Sequence, residues 1–154
     1  MKTFLWAVPL LILFACGTRR TESSAVQGEL GRGALLLDSN SIDYVQVAHE
    51  PHIEHPVRVT VAGLLGGSSY MLRLSGPGLD PHSRALAGAM RESNASPSQW
   101  SGEVYWAVAL YNRNGKETLR IGINESGRNG YIGDQAVLFQ NDKLLKWMKS
   151  VLPN

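Results

Sequence analysis

Residues 104–124, VYWAVALYNRNGKETLRIGIN, decide how this chain folds. Val104, Trp106, Val108 and Leu110 alternate with Tyr105, Ala107, Ala109 and Tyr111. Successive side chains of a strand point to opposite faces, so this period of two predicts a β-strand. Both phases are largely apolar, which suits a central strand covered on at least one side. Asn114-Gly115 marks the reversal, because both residues tolerate the positive φ of a tight hairpin. Leu119, Ile121 and Ile123 then alternate with Arg120, Gly122 and Asn124 in the returning strand.

Downstream, Ser126-Gly127-Arg128-Asn129-Gly130 reads as another turn and 135–139 as a further strand, completing a three-stranded meander. Asn141 or Asp142 then caps a closing helix whose stripe is Leu144, Leu145, Met148, Val151 and Leu152, with Lys143, Lys146 and Lys149 on the wet side. Upstream, 80–93 is predicted helical, with Asp80 as cap, Pro81 in the first turn, and Ala85, Leu86, Ala89 and Met90 on one face. Residues 94–102 read as a Ser/Pro loop. Residues 34–37, 42–48, 57–65 and 70–74 read as strands, the last two forming a hairpin across Gly66-Gly67-Ser68. The expectation is a strand-rich α+β single domain: an antiparallel sheet with two helices, the second at the C-terminus.

The N-terminal segment carries a different message. Lys2 precedes an almost unbroken apolar run from Phe4 to Ala15, about half of the roughly 20 residues that span a bilayer. Such a run suits the core of a signal peptide. It ends at Leu13-Phe14-Ala15-Cys16, and Cys16 is the chain's single cysteine. This stretch resembles the lipobox of bacterial lipoprotein signal peptides. The resemblance implies cleavage before Cys16, thioether attachment of a diacylglyceryl group to its sulfur, and a further acyl chain such as palmitate on its freed amino group. Phe14 departs from the commonest pattern, where a small residue stands. Gly17, rather than Asp, follows the cysteine, which in that family favours the outer membrane of a Gram-negative envelope.

The resulting division is 1–15 as cleaved signal peptide, 16–32 as lipidated cysteine and flexible tether, and 33–154 as the folded domain. As a coil the tether would span about 20–25 Å. The expected partners are the membrane, through the lipid on Cys16, and an envelope protein facing the periplasm or cell exterior. With a formal charge of only +2 and no basic face, nucleic acid is not an expected partner. With its one thiol acylated, an exported domain has no disulfide and relies on its core.

Chemistry-bearing motifs are sparse. The densest cluster is His49-Glu50-Pro51-His52-Ile53-Glu54-His55, whose imidazoles and carboxylates suit zinc, copper or nickel. Its spacing departs from H-E-x-x-H, and Pro51 opposes the helix that would align such ligands. Solvated loop and metal site, with His49, His52 and His55 as ligands, are its two readings. The glycines of 28–33 come before an expected strand, not after one, so they do not form a dinucleotide loop. Gly66-Gly67-Ser68-Ser69 reads as a turn, not a nucleophile elbow. Trp100, in a polar loop, is the candidate for an exposed partner contact. No catalytic residue and no cofactor is expected. The sequence favours a lipid-anchored envelope lipoprotein acting as a non-enzymatic binding, accessory or inhibitor/immunity-type protein, with a metal-binding or hydrolytic envelope protein using His49, His52 and His55 as the alternative.

Overall fold

The computed structural model describes residues 11–51 and 58–152, with side chains from residue 23 onward. In chain order the elements are α1 (Leu11–Asp38), β1 (Ile42–His49), α2 (Val61–Gly67), β2 (Tyr70–Ser75), α3 (Asp80–Glu92), β3 (Ala95–Pro97), β4 (Trp106–Asn112), β5 (Glu117–Ile123), β6 (Asn129–Ile132), β7 (Gln135–Phe139) and α4 (Lys143–Val151). The strands form one antiparallel sheet in the order β2-β1-β4-β5-β6-β7-β3. This is the strand-rich α+β architecture with a C-terminal helix that the pattern implies. The described residues contain four α-helices where the sequence suggested two.

The hairpin of β4 and β5 forms as its residues dictate. Gly115 takes φ of 70°, and the Asn112 side chain accepts from the Asn114 and Lys116 amides. Trp106 pairs with Ile123, Val108 with Ile121 and Leu110 with Leu119, placing one apolar row on one face. That face carries the main core. Val45 and Val47 of β1 join it, and so do Val137 and Phe139 of β7. Leu86, Ala87 and Met90 of α3 and Leu144, Leu145, Trp147 and Met148 of α4 close it from above. Ala85, expected on the buried stripe of α3, is exposed, and Ala87 is buried in its place. Asn141, not Asp142, supplies the side-chain acceptor at the start of α4, bonding the Lys143 amide at 3.2 Å.

Several expectations are corrected. Residues 34–37 are the last turn of α1, not a strand, because a short apolar run has no period of its own. Within the segment read as tether, Val26 and Leu30 are buried, and with Ala34 and Leu37 they make a helical stripe against the core. Gly33 lies on this stripe, where a side chain would collide with Leu119 and Met90; close packing outweighs the roughly 1 kcal/mol that glycine costs a helix. The helix ends at Asp38, and beyond it Asn40, whose φ is 52°, and Ser41 donate their amides to Leu37 and Leu36 in a Schellman turn.

The strand expected at 57–65 is instead α2 over its second half. Thr60 caps this helix by accepting the Gly63 amide at 3.1 Å, and β2 pairs with β1 in place of the expected hairpin. Ala95–Pro97, inside the expected loop, pairs with β7 as a short edge strand. The turn read at 126–130 opens directly into β6, so the meander has four strands, β4 to β7.

Candidate binding face

Among the described residues no long helix lies over the second face of the sheet. Alternation in β1, β4, β5 and β6 puts Tyr44, Gln46, Ala48, Ala107, Ala109, Tyr111, Arg120, Gly122 and Tyr131 on this side. The two-turn α2 covers one end, where Val61 and Leu64 pack with Ala48, Val104 and Ala107 in a small second core. Gly122 makes this possible: a Cβ there would collide with Val61. Gln46 ties α2 down by donating to the Leu65 carbonyl at 2.7 Å.

Beyond α2 the face carries an aromatic and cationic stack. Tyr44 and Tyr111 are directly paired across β1 and β4, and their rings stack at 4.4 Å and 10°. The Arg73 guanidinium, reaching diagonally from the edge strand β2, sits 3.6 Å from the Tyr44 centroid. Burial, with Glu117 nearby, pushes the Tyr111 phenol above its ordinary value, so it stays protonated. Both tyrosines are half-buried and Arg73 is exposed.

At the other end, beside α2, lies a cleft of about 230 Å³. Val59, Val61 and Ala62 supply its apolar part. Arg58 stands at one wall, its Nη2 donating to the Gly102 carbonyl at 3.0 Å and to the Tyr131 hydroxyl at 2.9 Å. Arg120 stands at another, bonded to Asp134 at 2.6 Å and 3.6 Å from Glu117. The Asp134 bond is the main reason its guanidinium titrates above its ordinary value.

The residues singled out by sequence are dispersed. His49 ends β1 on the core side, buried, its ring stacked 3.9 Å from that of Trp106. Burial is the main cause that lowers its pKa; Lys149 adds to this, and Glu125 and Glu50 oppose it. The Glu50 carboxylate accepts from the amide and hydroxyl of Ser69 at 2.6 and 2.7 Å. His52, Glu54 and His55 lie outside the described residues. Among the described residues no three His, Cys, Asp or Glu side chains converge as a metal ligand set. Trp100 is half-buried on the second core, its ring over Gly102 and 5.5 Å from that of Tyr131. Cys16 falls within the span of α1, and its side chain lies outside the described ones. Among the described residues no helix is long and apolar enough to cross a membrane.

Sequence reading did not single out Tyr44, Arg58, Arg73, Tyr111 or Arg120 as a group. Their common phase in alternating strands was the available signal, but it becomes a surface only when strand order is known. No protein-family model, curated protein or solved structure matches this chain.

Proposed function

We propose that this chain is a lipid-anchored envelope protein that binds a protein partner through the uncovered face of its sheet and does no chemistry of its own. The observation that carries the binding reading is the asymmetry of the sheet. Three helices close one face, while the other presents Arg73, Tyr44 and Tyr111 as a preformed stack. Aromatic residues and arginine are enriched in protein interfaces, and stacking holds these three in place before any partner arrives.

The lipobox-like Cys16 supports the anchored address. Two or more acyl chains hold a protein stably, each buried methylene contributing about 0.8 kcal/mol. Among the described side chains of α1, from residue 23 onward, the first buried one is Val26. Ten residues of helix rise about 15 Å, so an anchor at Cys16 would keep the domain close to the head groups. The whole stack would then work within reach of other envelope proteins.

The test is affinity purification of the full-length tagged chain from detergent extracts, beside Tyr111→Ala and Arg73→Glu. One protein recovered in stoichiometric amount with the wild type, and lost from both variants at unchanged melting temperature, is the expected result. The same proteins recovered with all three would overturn the assignment of the face.

A further inference from the structure

We infer that the cleft between Arg58 and Arg120 is a binding site for a carboxylate group carried on a short apolar residue. The inference rests on how the hydrogen-bonding capacity of the lining is already used. Tyr131 accepts from Arg58 through its hydroxyl oxygen, so its own proton is free to donate. Thr60 accepts the Gly63 amide through Oγ1, so its hydroxyl proton is free as well. Arg58 spends Nη2 on the Gly102 carbonyl and Tyr131, both neutral, leaving Nε and Nη1 without a partner among the described residues. No carboxylate among the described residues pairs with it. The lining thus offers donors whose acceptor atoms are occupied, and a guanidinium already oriented by two bonds.

Charge points the same way. The lining holds two guanidiniums, Arg58 and Arg120, against one carboxylate, Asp134. Asp134 is spoken for by Arg120, and its side chain is 93% exposed, so water screens what charge remains. Among the described residues Arg58 is therefore the cation of the lining with no carboxylate partner, and an arginine fork suits a planar carboxylate.

Size and polarity narrow the ligand. At about 230 Å³ the cleft is smaller than the usual 300–1,000 Å³ of drug-sized sites, so it suits one residue-sized group better than a nucleotide. Val59, Val61 and Ala62 give that group an apolar bed. Two sources share this chemistry: a small free carboxylic acid, and the C-terminal residue of a peptide chain. The cleft lies at the polar end of the face assigned above to a partner, but the site does not depend on that assignment. A cleft without carboxylate affinity would leave partner capture through Tyr44 and Tyr111 standing.

The experiment is an amide-resolved NMR titration of the full chain in detergent micelles, with N-acetyl-leucine, N-acetyl-leucinamide, the tripeptide Ala-Ala-Leu and inorganic phosphate. N-acetyl-leucine should give saturable shifts confined to residues 58–62, 102 and 131–134, and the amide should give none. Arg58→Gln should weaken binding by about tenfold or more, as expected for loss of a charged hydrogen bond. Tyr131→Phe keeps the ring on Trp100 and should weaken binding by a smaller factor, and it answers the question if Arg58→Gln does not fold. Tighter binding of the tripeptide identifies a chain end as the source, and equal affinity identifies a free acid. Equal shifts from acid and amide, phosphate binding in place of the acid, or wild-type affinity in the folded variants would overturn the inference.

Discussion

His49 shows how one side chain couples the sheet to pH. Its ring is sandwiched between Trp106 and Tyr70 at the end of β1, and burial favours its neutral form. The folded pKa lies below the ordinary value of 6.5, so between the two the unfolded chain binds more protons. The contribution of the neutral ring is complete above 6.5 and is lost as pH falls through the folded pKa. His49→Phe keeps an aromatic ring on Trp106 and removes that titration. Melting curves of the two proteins should diverge as pH drops from 7 toward 5, the wild type losing more. Parallel curves would show that His49 is not held neutral.

Gly122 is the residue on which the second core depends. A side chain at this position meets Val61, so Gly122→Val must push α2 off the sheet or overpack it. We expect a destabilisation of about 1–3 kcal/mol by denaturant titration, with the amides of 61–67 exchanging faster. An unchanged midpoint would mean that α2 rests on the sheet more loosely than its contacts suggest.

Among the elements, α1 departs furthest from what its residues advertise. Gly28, Gly31 and Gly33 lower helix propensity, and Ala34-Leu35-Leu36-Leu37 has no period that separates helix from strand. Only the stripe Val26, Leu30, Ala34 and Leu37 signals a helix, and it matters because α3, β3 and β5 supply its partners. Leu30 is fully buried, so Leu30→Ala should cost about 2–5 kcal/mol in a denaturant titration. A cost near zero would be the behaviour of a solvated tether. The elements whose signals are local were legible: the β4–β5 hairpin from Asn114-Gly115, α3 from its Pro81 start, and α4 from its apolar stripe. The element misread at 57–65 had two local signals in conflict. Val57, Val59 and Val61 alternate as in a strand, while Thr60 and Gly63 stand at cap spacing, and burial of Val61 and Leu64 on Ala107 decides for the helix. The binding face was legible in its parts only. Tyr44 and Tyr111 are far apart in sequence, and their pairing follows from strand register, a non-local property.

At the scale of the molecule, the sheet has two unlike faces, and the proposed function assigns stability to one and recognition to the other. The helix-covered face holds the main core, and the other face, over which the described residues place no long helix, can carry aromatic and charged residues in contact with solvent. The proposed anchor at Cys16 would add an address to this division of labour. Cys16→Ala should accumulate as unprocessed precursor lacking the lipid's mass, read by mass spectrometry of membrane fractions. Normal processing in that variant would place the chain outside lipid-anchored proteins.

A protein partner on the open face would lie within crosslinking distance of Tyr111. A photo-crosslinking amino acid placed at Tyr111, and in a separate variant at Leu35, which is 66% exposed on α1, tests this in intact cells. One discrete adduct, the same protein each time, is expected from position 111 and none from position 35. Adducts of equal yield from both positions, or none from position 111, would contradict a partner on this face.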